Sequence, residues 1–83
     1  MAEDPTDTVR SILASLTGLA PEEIVSGLSL LEEGLLTSLQ VVELVARLEA
    51  ETGARFLDQD LTPENFAGLE AIVALVRARR PGA

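Results

Sequence analysis

The chain has 83 residues, a net charge of −8 from fourteen acids against six basic residues, 47% hydrophobic content and two aromatic residues, Phe56 and Phe66. A single domain of this size buries only about 60–65% of its unfolded surface, which leaves little room for a deep enzyme cleft. With no Cys, His, Lys, Tyr or Trp in the chain, a Ser-His triad, a thiolate nucleophile, an ordinary zinc site, a phosphate-binding lysine loop and a Schiff base are excluded, and only paired carboxylates remain for acid/base work.

The first predicted element opens at Asp4-Pro5-Thr6-Asp7, with Asp4 as N-cap and Pro5 at the first helical position. Val9, Ile12, Leu13 and Leu16 follow at helical spacing, and the helix ends near Thr17 with Gly18 as its stop. Pro21 initiates a short turn over Ala20 to Ile24. From Ser26 to Gly34 the period is lost, yet Leu28, Leu30 and Leu31 are apolar, so this loop is expected to lie on a core. At about ten residues it is longer than most helix connections, which suggests a loop with a task.

Thr37-Ser38-Leu39-Gln40 has the spacing of a capping box, in which the Thr37 hydroxyl accepts from the Gln40 amide and the Gln40 side chain reaches back. Ser38 is then the first residue of a helix running to Thr52. Val41, Leu44, Val45 and Leu48 form its core stripe, and Gln40, Glu43, Arg47 and Glu51 its polar side. A second apolar row, Leu39, Val42 and Ala46, runs alongside and ends at Glu49. Either the leucine-rich loop folds over this row, or the row is an exposed contact strip for partner proteins, rimmed by Glu43 and Glu49.

Gly53 ends this helix, and Ala54 to Leu61 is an extended connection with Phe56 and Leu61 pointing inward. Asp58-Gln59-Asp60 lacks a calcium loop's glycine and final glutamate, positions held here by Pro63 and Leu69, and is expected to be a solvated loop. Thr62-Pro63-Glu64-Asn65-Phe66 predicts a short third helix. The last helix, about 68 to 79, carries Leu69, Ile72, Val73 and Val76 on one face. Arg77, Arg79 and Arg80 stand at the end where cations favour the helix dipole, and Pro81-Gly82 stops it. The expected fold is all-α, a small antiparallel four-helix bundle with three long helices and one short, in a single domain whose ends, 1–3 and 81–83, fray. The acidic surface repels nucleic acid and anionic lipid and favours partners with basic patches, and no apolar run reaches the length of a membrane span or a signal-peptide core. A cytoplasmic monomer is expected.

Gly34-Leu-Leu-Thr-Ser-Leu-Gln-Val-Val-Glu-Leu-Val resembles the modification motif of acyl and aminoacyl (peptidyl) carrier proteins, whose usual form is Asp-Ser-Leu followed by an apolar helix containing Glu-Leu. The similarity extends to Leu30-Leu31-Glu32-Glu33, to Leu48-Glu49 and Gly53, and to Asp60-Leu61-Thr62-Pro63-Glu64-Asn65-Phe66, and so covers nearly the whole chain. It implies a stand-alone carrier without intrinsic catalysis, with 4′-phosphopantetheine esterified to Ser38 by a separate phosphopantetheinyl transferase. The arm's thiol would hold an acyl or aminoacyl group as a thioester. Further partners implied are a loading ligase or adenylation enzyme and acyltransferases or synthases. Thr37 is implied to flank the attachment point, and Leu39, Val42, Glu43 and Ala46 resemble the family's partner-recognition positions. Thr37 departs from the family's Asp: it keeps the N-cap but removes a carboxylate beside the serine. The motif differs from the Gly-Ala-Asp-Ser-Leu-Asp of fatty-acid carriers, and every basic residue is arginine, a sign of a GC-rich genome. Both favour a carrier of polyketide or nonribosomal peptide assembly. A D-alanyl or fatty-acid carrier, or an unmodified helical adaptor, are the alternatives.

Overall fold

The computed structural model describes residues 4–81. Three α-helices, α1 (Thr6–Thr17), α2 (Ser38–Thr52) and α3 (Leu69–Arg79), are joined through 3₁₀ turns at Pro21–Glu23 and Asp58–Asp60, with no strand among the described residues. Of the ends expected to fray, 1–3 and 82–83 lie outside the described residues, and Pro81 forms a turn.

The start of α1 lies one residue later than expected, with Pro5 at the N-cap position and Thr6 as the first helical residue. Asp4 still supports it, one carboxylate oxygen accepting from the Thr6 amide at 3.0 Å and the Thr6 hydroxyl at 2.6 Å. Val9, Ile12 and Leu13 face the core, with Leu16 half-buried beside them. Both α1 and α2 end on a left-handed glycine, Gly18 at φ 80° and Gly53 at φ 77°, whose amides close on Ala14 and Glu49 carbonyls. A side chain at either place would force backbone that L-residues rarely adopt.

End contacts give the directions. The Gln40 side chain at the start of α2 meets Leu16 at the end of α1, Arg77 at the end of α3 meets Asp4 before α1, and the Arg55 amide just past α2 donates to Arg79. Thus α1 runs antiparallel to both other helices, while α2 and α3 run the same way. It is also α1 that packs on both of them. Leu44 and Leu48 of α2 and Leu69, Ile72, Val73, Leu75 and Val76 of α3 complete the core, with Val41 and Val45 half-buried at its edge.

The leucine-rich loop lies down on this core. Leu30 and Leu36 are buried and Leu28, Leu31 and Leu35 pack against them. The Leu30 amide donates to the Ala67 carbonyl, and the Leu30 carbonyl accepts from both Leu35 and Leu36. Gly68 allows the loop this close, because a Cβ there would stand 2.9 Å from the Leu28 carbonyl oxygen.

Three expectations for residues 54–68 need correction. The short third helix does not form, so the described residues contain three α-helices rather than four: 62–66 is a run of turns with three-residue closures, Asn65 to Thr62 and Phe66 to Pro63. Gly68 closes the stretch five residues after Pro63, so an α-helical ladder has little length in which to develop. Leu61 is exposed, and only Phe56 turns partly inward. Asp60 is not solvated: it is 4% exposed, and its two oxygens take Nε and Nη2 of Arg79, each at 2.7 Å. The Leu57 amide donates to the same carboxylate at 2.8 Å, and the Asn65 side-chain amide donates to the Asp60 carbonyl. This two-pronged ion pair fastens the crossing segment to the end of α3.

The Arg79 guanidinium and then the Leu57 amide hold the Asp60 carboxyl at about 2, below its usual 3.8. A depressed carboxylate stabilises the fold above its unfolded pKa, and that contribution is lost as pH falls towards the folded value. Asp60→Asn is therefore expected to lower Tm by roughly 10 °C at neutral pH, since it leaves a guanidinium without its counter-charge. The gap between variant and wild type narrows between pH 4 and pH 2 in thermal melts. A gap independent of pH over that window would show that the ion pair is not its cause.

Candidate functional site

The start of α2 is built as the capping-box spacing requires. Thr37 is extended, at φ −91° and ψ 167°, with its hydroxyl accepting from the Gln40 amide at 3.2 Å, and its own amide donates to the Gln40 side-chain oxygen at 2.9 Å. Ser38 follows as the first helical residue and is exposed. The Ser38 and Leu39 amides belong to the turn that has no intrahelical acceptors, at the positive end of the helix dipole, and no acidic side chain stands in that turn. A negatively charged group on the Ser38 hydroxyl would be well placed there.

Beside Ser38 opens a cavity of about 300 Å³, walled by Val41 and Val42 of α2, Leu31 and Leu36 of the leucine-rich loop, and Leu61, Thr62, Pro63 and Phe66 of the crossing turns. Sequence periodicity gives no sign of it, because its walls come from three stretches and two of them are non-helical. The apolar residues of the unperiodic stretches were the available signal: Leu36 and Phe66 are buried, Leu31 is half-buried, and Leu61 stands at the rim.

The second apolar row is not covered. Leu39 is 76% exposed and Val42 60%, and Glu43 and Ala46 are exposed as well. Ser38, Leu39, Val42, Glu43 and Ala46 thus share the open side of one helix. Glu49 does not belong to a free rim, since its carboxylate accepts from the Phe56 amide at 3.0 Å and ties the chain after α2 back onto the helix. One bond at the site has no sequence signature: the Gln40 side-chain nitrogen donates to the Leu16 carbonyl, 2.9 Å away at the end of α1.

No helix is long and apolar enough to cross a membrane among the described residues. A family model described as a phosphopantetheine attachment site matches residues 7–78. No curated protein and no solved structure matches the chain.

Proposed function

Since the chain belongs to the phosphopantetheine attachment site family, whose members carry 4′-phosphopantetheine covalently on a serine, we propose that Ser38 is that serine. The observation that carries this is its setting: an exposed hydroxyl on the first residue of a capped helix, within the matched span and at the lip of an apolar cavity. The group fits what surrounds it. Unpaired amides at the positive helix end suit a phosphodiester.

When attached, 4′-phosphopantetheine supplies a thiol for thioester chemistry, which a chain without cysteine lacks. The protein's own part is to present one hydroxyl. A separate phosphopantetheinyl transferase joins Ser38 Oγ to the phosphorus of the pantetheine phosphate in coenzyme A. The bond from that phosphorus to the bridging oxygen breaks, 3′,5′-ADP leaves, and the serine proton passes to the transferase. Thr37 and Gln40 hold the helix start while this happens. Leu39, Val42, Glu43 and Ala46 form the strip that partner enzymes read, with the acidic surface steering basic partners into fast, weak encounters. The departure from the fatty-acid carrier motif supports a role in polyketide or nonribosomal peptide assembly.

Incubation with coenzyme A and a broad-specificity transferase tests the reading by intact mass. The expected result is a gain of one phosphopantetheinyl group. No gain with any competent transferase, including one from the native host, would favour an unmodified adaptor instead. A further expectation concerns Thr37→Asp, which restores a carboxylate beside the serine and should raise the rate of modification by a generic transferase several-fold, as expected of a contact worth about 1 kcal/mol in the transition state. Equal rates would show that the carboxylate is dispensable.

A further inference from the structure

The side chain of Gln40 makes two different bonds besides its backbone's part in the cap. Its oxygen accepts from the Thr37 amide at 2.9 Å, and its nitrogen donates to the Leu16 carbonyl at 2.9 Å. Leu16 lies in the last turn of α1, where carbonyls have no intrahelical donor. One amide thus closes the cap around Ser38 and satisfies the end of a helix 24 residues away. Few side chains can do both. Glutamate accepts but does not donate, lysine and arginine donate but do not accept, and asparagine is one methylene shorter.

Among the described residues the hydroxyl of Ser38 makes none of the side-chain bonds that surround it, so its position is inherited from the backbone of the first turn. First turns fray readily, and threonine is a weaker N-cap than aspartate or serine. Here the turn is held from both sides: Thr37 and Gln40 bracket Ser38, and Gln40 is tied to α1, which packs on α2 along the core. We propose that Gln40 is a positioning residue for the modification of Ser38, acting through its tether to the Leu16 carbonyl to hold the nucleophilic oxygen still for in-line attack. This rests on Ser38 being the acceptor.

Two variants separate the tether from its alternatives. Gln40→Glu keeps the acceptor for the Thr37 amide and loses the donor to Leu16, whereas Gln40→Met loses both bonds without adding charge. The measurements are steady-state kinetics of transfer from coenzyme A, with the carrier as the varied substrate, and amide exchange across α2. With both variants, kcat is expected to fall roughly ten-fold, the scale on which a small displacement of a reacting group slows a reaction. The KM for the carrier stays unchanged in the methionine variant. Amide protection drops at Gln40 to Val42 and is retained at Leu44 and Leu48, which shows that the fold persists.

Unchanged kcat in both variants would overturn the inference. So would a loss confined to KM, which would make Gln40 a docking contact. Slowing by Glu alone would point to charge, and slowing by Met alone would assign the effect to the cap rather than the tether; either result also overturns it. If the wild type takes no group at all, it is the assignment of Ser38 that fails.

Discussion

Ser38→Ala is expected to take the phosphopantetheinyl mass gain to zero while leaving the thermal melt where it was. The two halves of this result have separate causes. The reaction needs an oxygen nucleophile, and alanine has none to offer at the one place where the helix start and the cavity mouth converge. The fold, by contrast, does not use that oxygen: Ser38 is exposed, and the capping contacts of the turn belong to Thr37 and Gln40. Alanine is also a good helix former, so a stability change within about 0.5 kcal/mol is expected. Intact mass and circular dichroism on the same sample check both halves. A gain that survives the substitution would move the attachment elsewhere, and the Thr62 hydroxyl at the same cavity would be tested next.

Leu44→Ala gives the opposite pattern, with the chemistry intact in principle and the fold lost. Leu44 is fully buried, on the face of α2 turned away from the exposed row. Truncating such a leucine removes its transfer free energy and leaves a cavity, together costing about 2–5 kcal/mol. At roughly 0.05–0.15 kcal/mol per residue, a domain of this length has about 4–12 kcal/mol in total. The variant is therefore expected to melt at least about 10 °C lower and, at the upper end of the cost, to be largely unfolded at 37 °C. Denaturant titration gives the number directly. A loss below about 1 kcal/mol would mean that the surrounding leucines collapse into the space, contrary to the close packing assumed for this core.

What could be read from the residues in order was what local chemistry determines. The capping box at Thr37 to Gln40, the glycine stops at Gly18 and Gly53 and the buried stripes of the three long helices all follow from spacing within a few residues, and all are present. The placement of the candidate site residues was legible for the same reason, since Thr37 caps α2 and Ser38, Leu39, Val42, Glu43 and Ala46 lie on it. Contacts that join distant residues were not legible. Asp60 looked like part of a polar loop because its partner, Arg79, lies 19 positions later, and an arginine at a helix end has a sufficient local explanation in the dipole. The tether from Gln40 to Leu16 was hidden in the same way behind a complete local account of Gln40. The short helix expected at Thr62 to Phe66 failed from the opposite cause: proline at a helix start is a local signal, but a five-residue stretch stopped by Gly68 gives it nothing to propagate into.

The arrangement of helices bears on how the molecule comes apart. Because α1 is the element that packs on both α2 and α3, each of those helices loses its main helical neighbour once α1 has left. Partial unfolding that spares a native-like remainder is then unfavourable, and denaturation should be all-or-none. Loss of helix content and loss of dispersed methyl signals should fall on one curve with one midpoint, with no intermediate in which α2 stands folded with Ser38 still displayed. The capped helix start that displays Ser38 is then expected to be lost together with the core rather than before it.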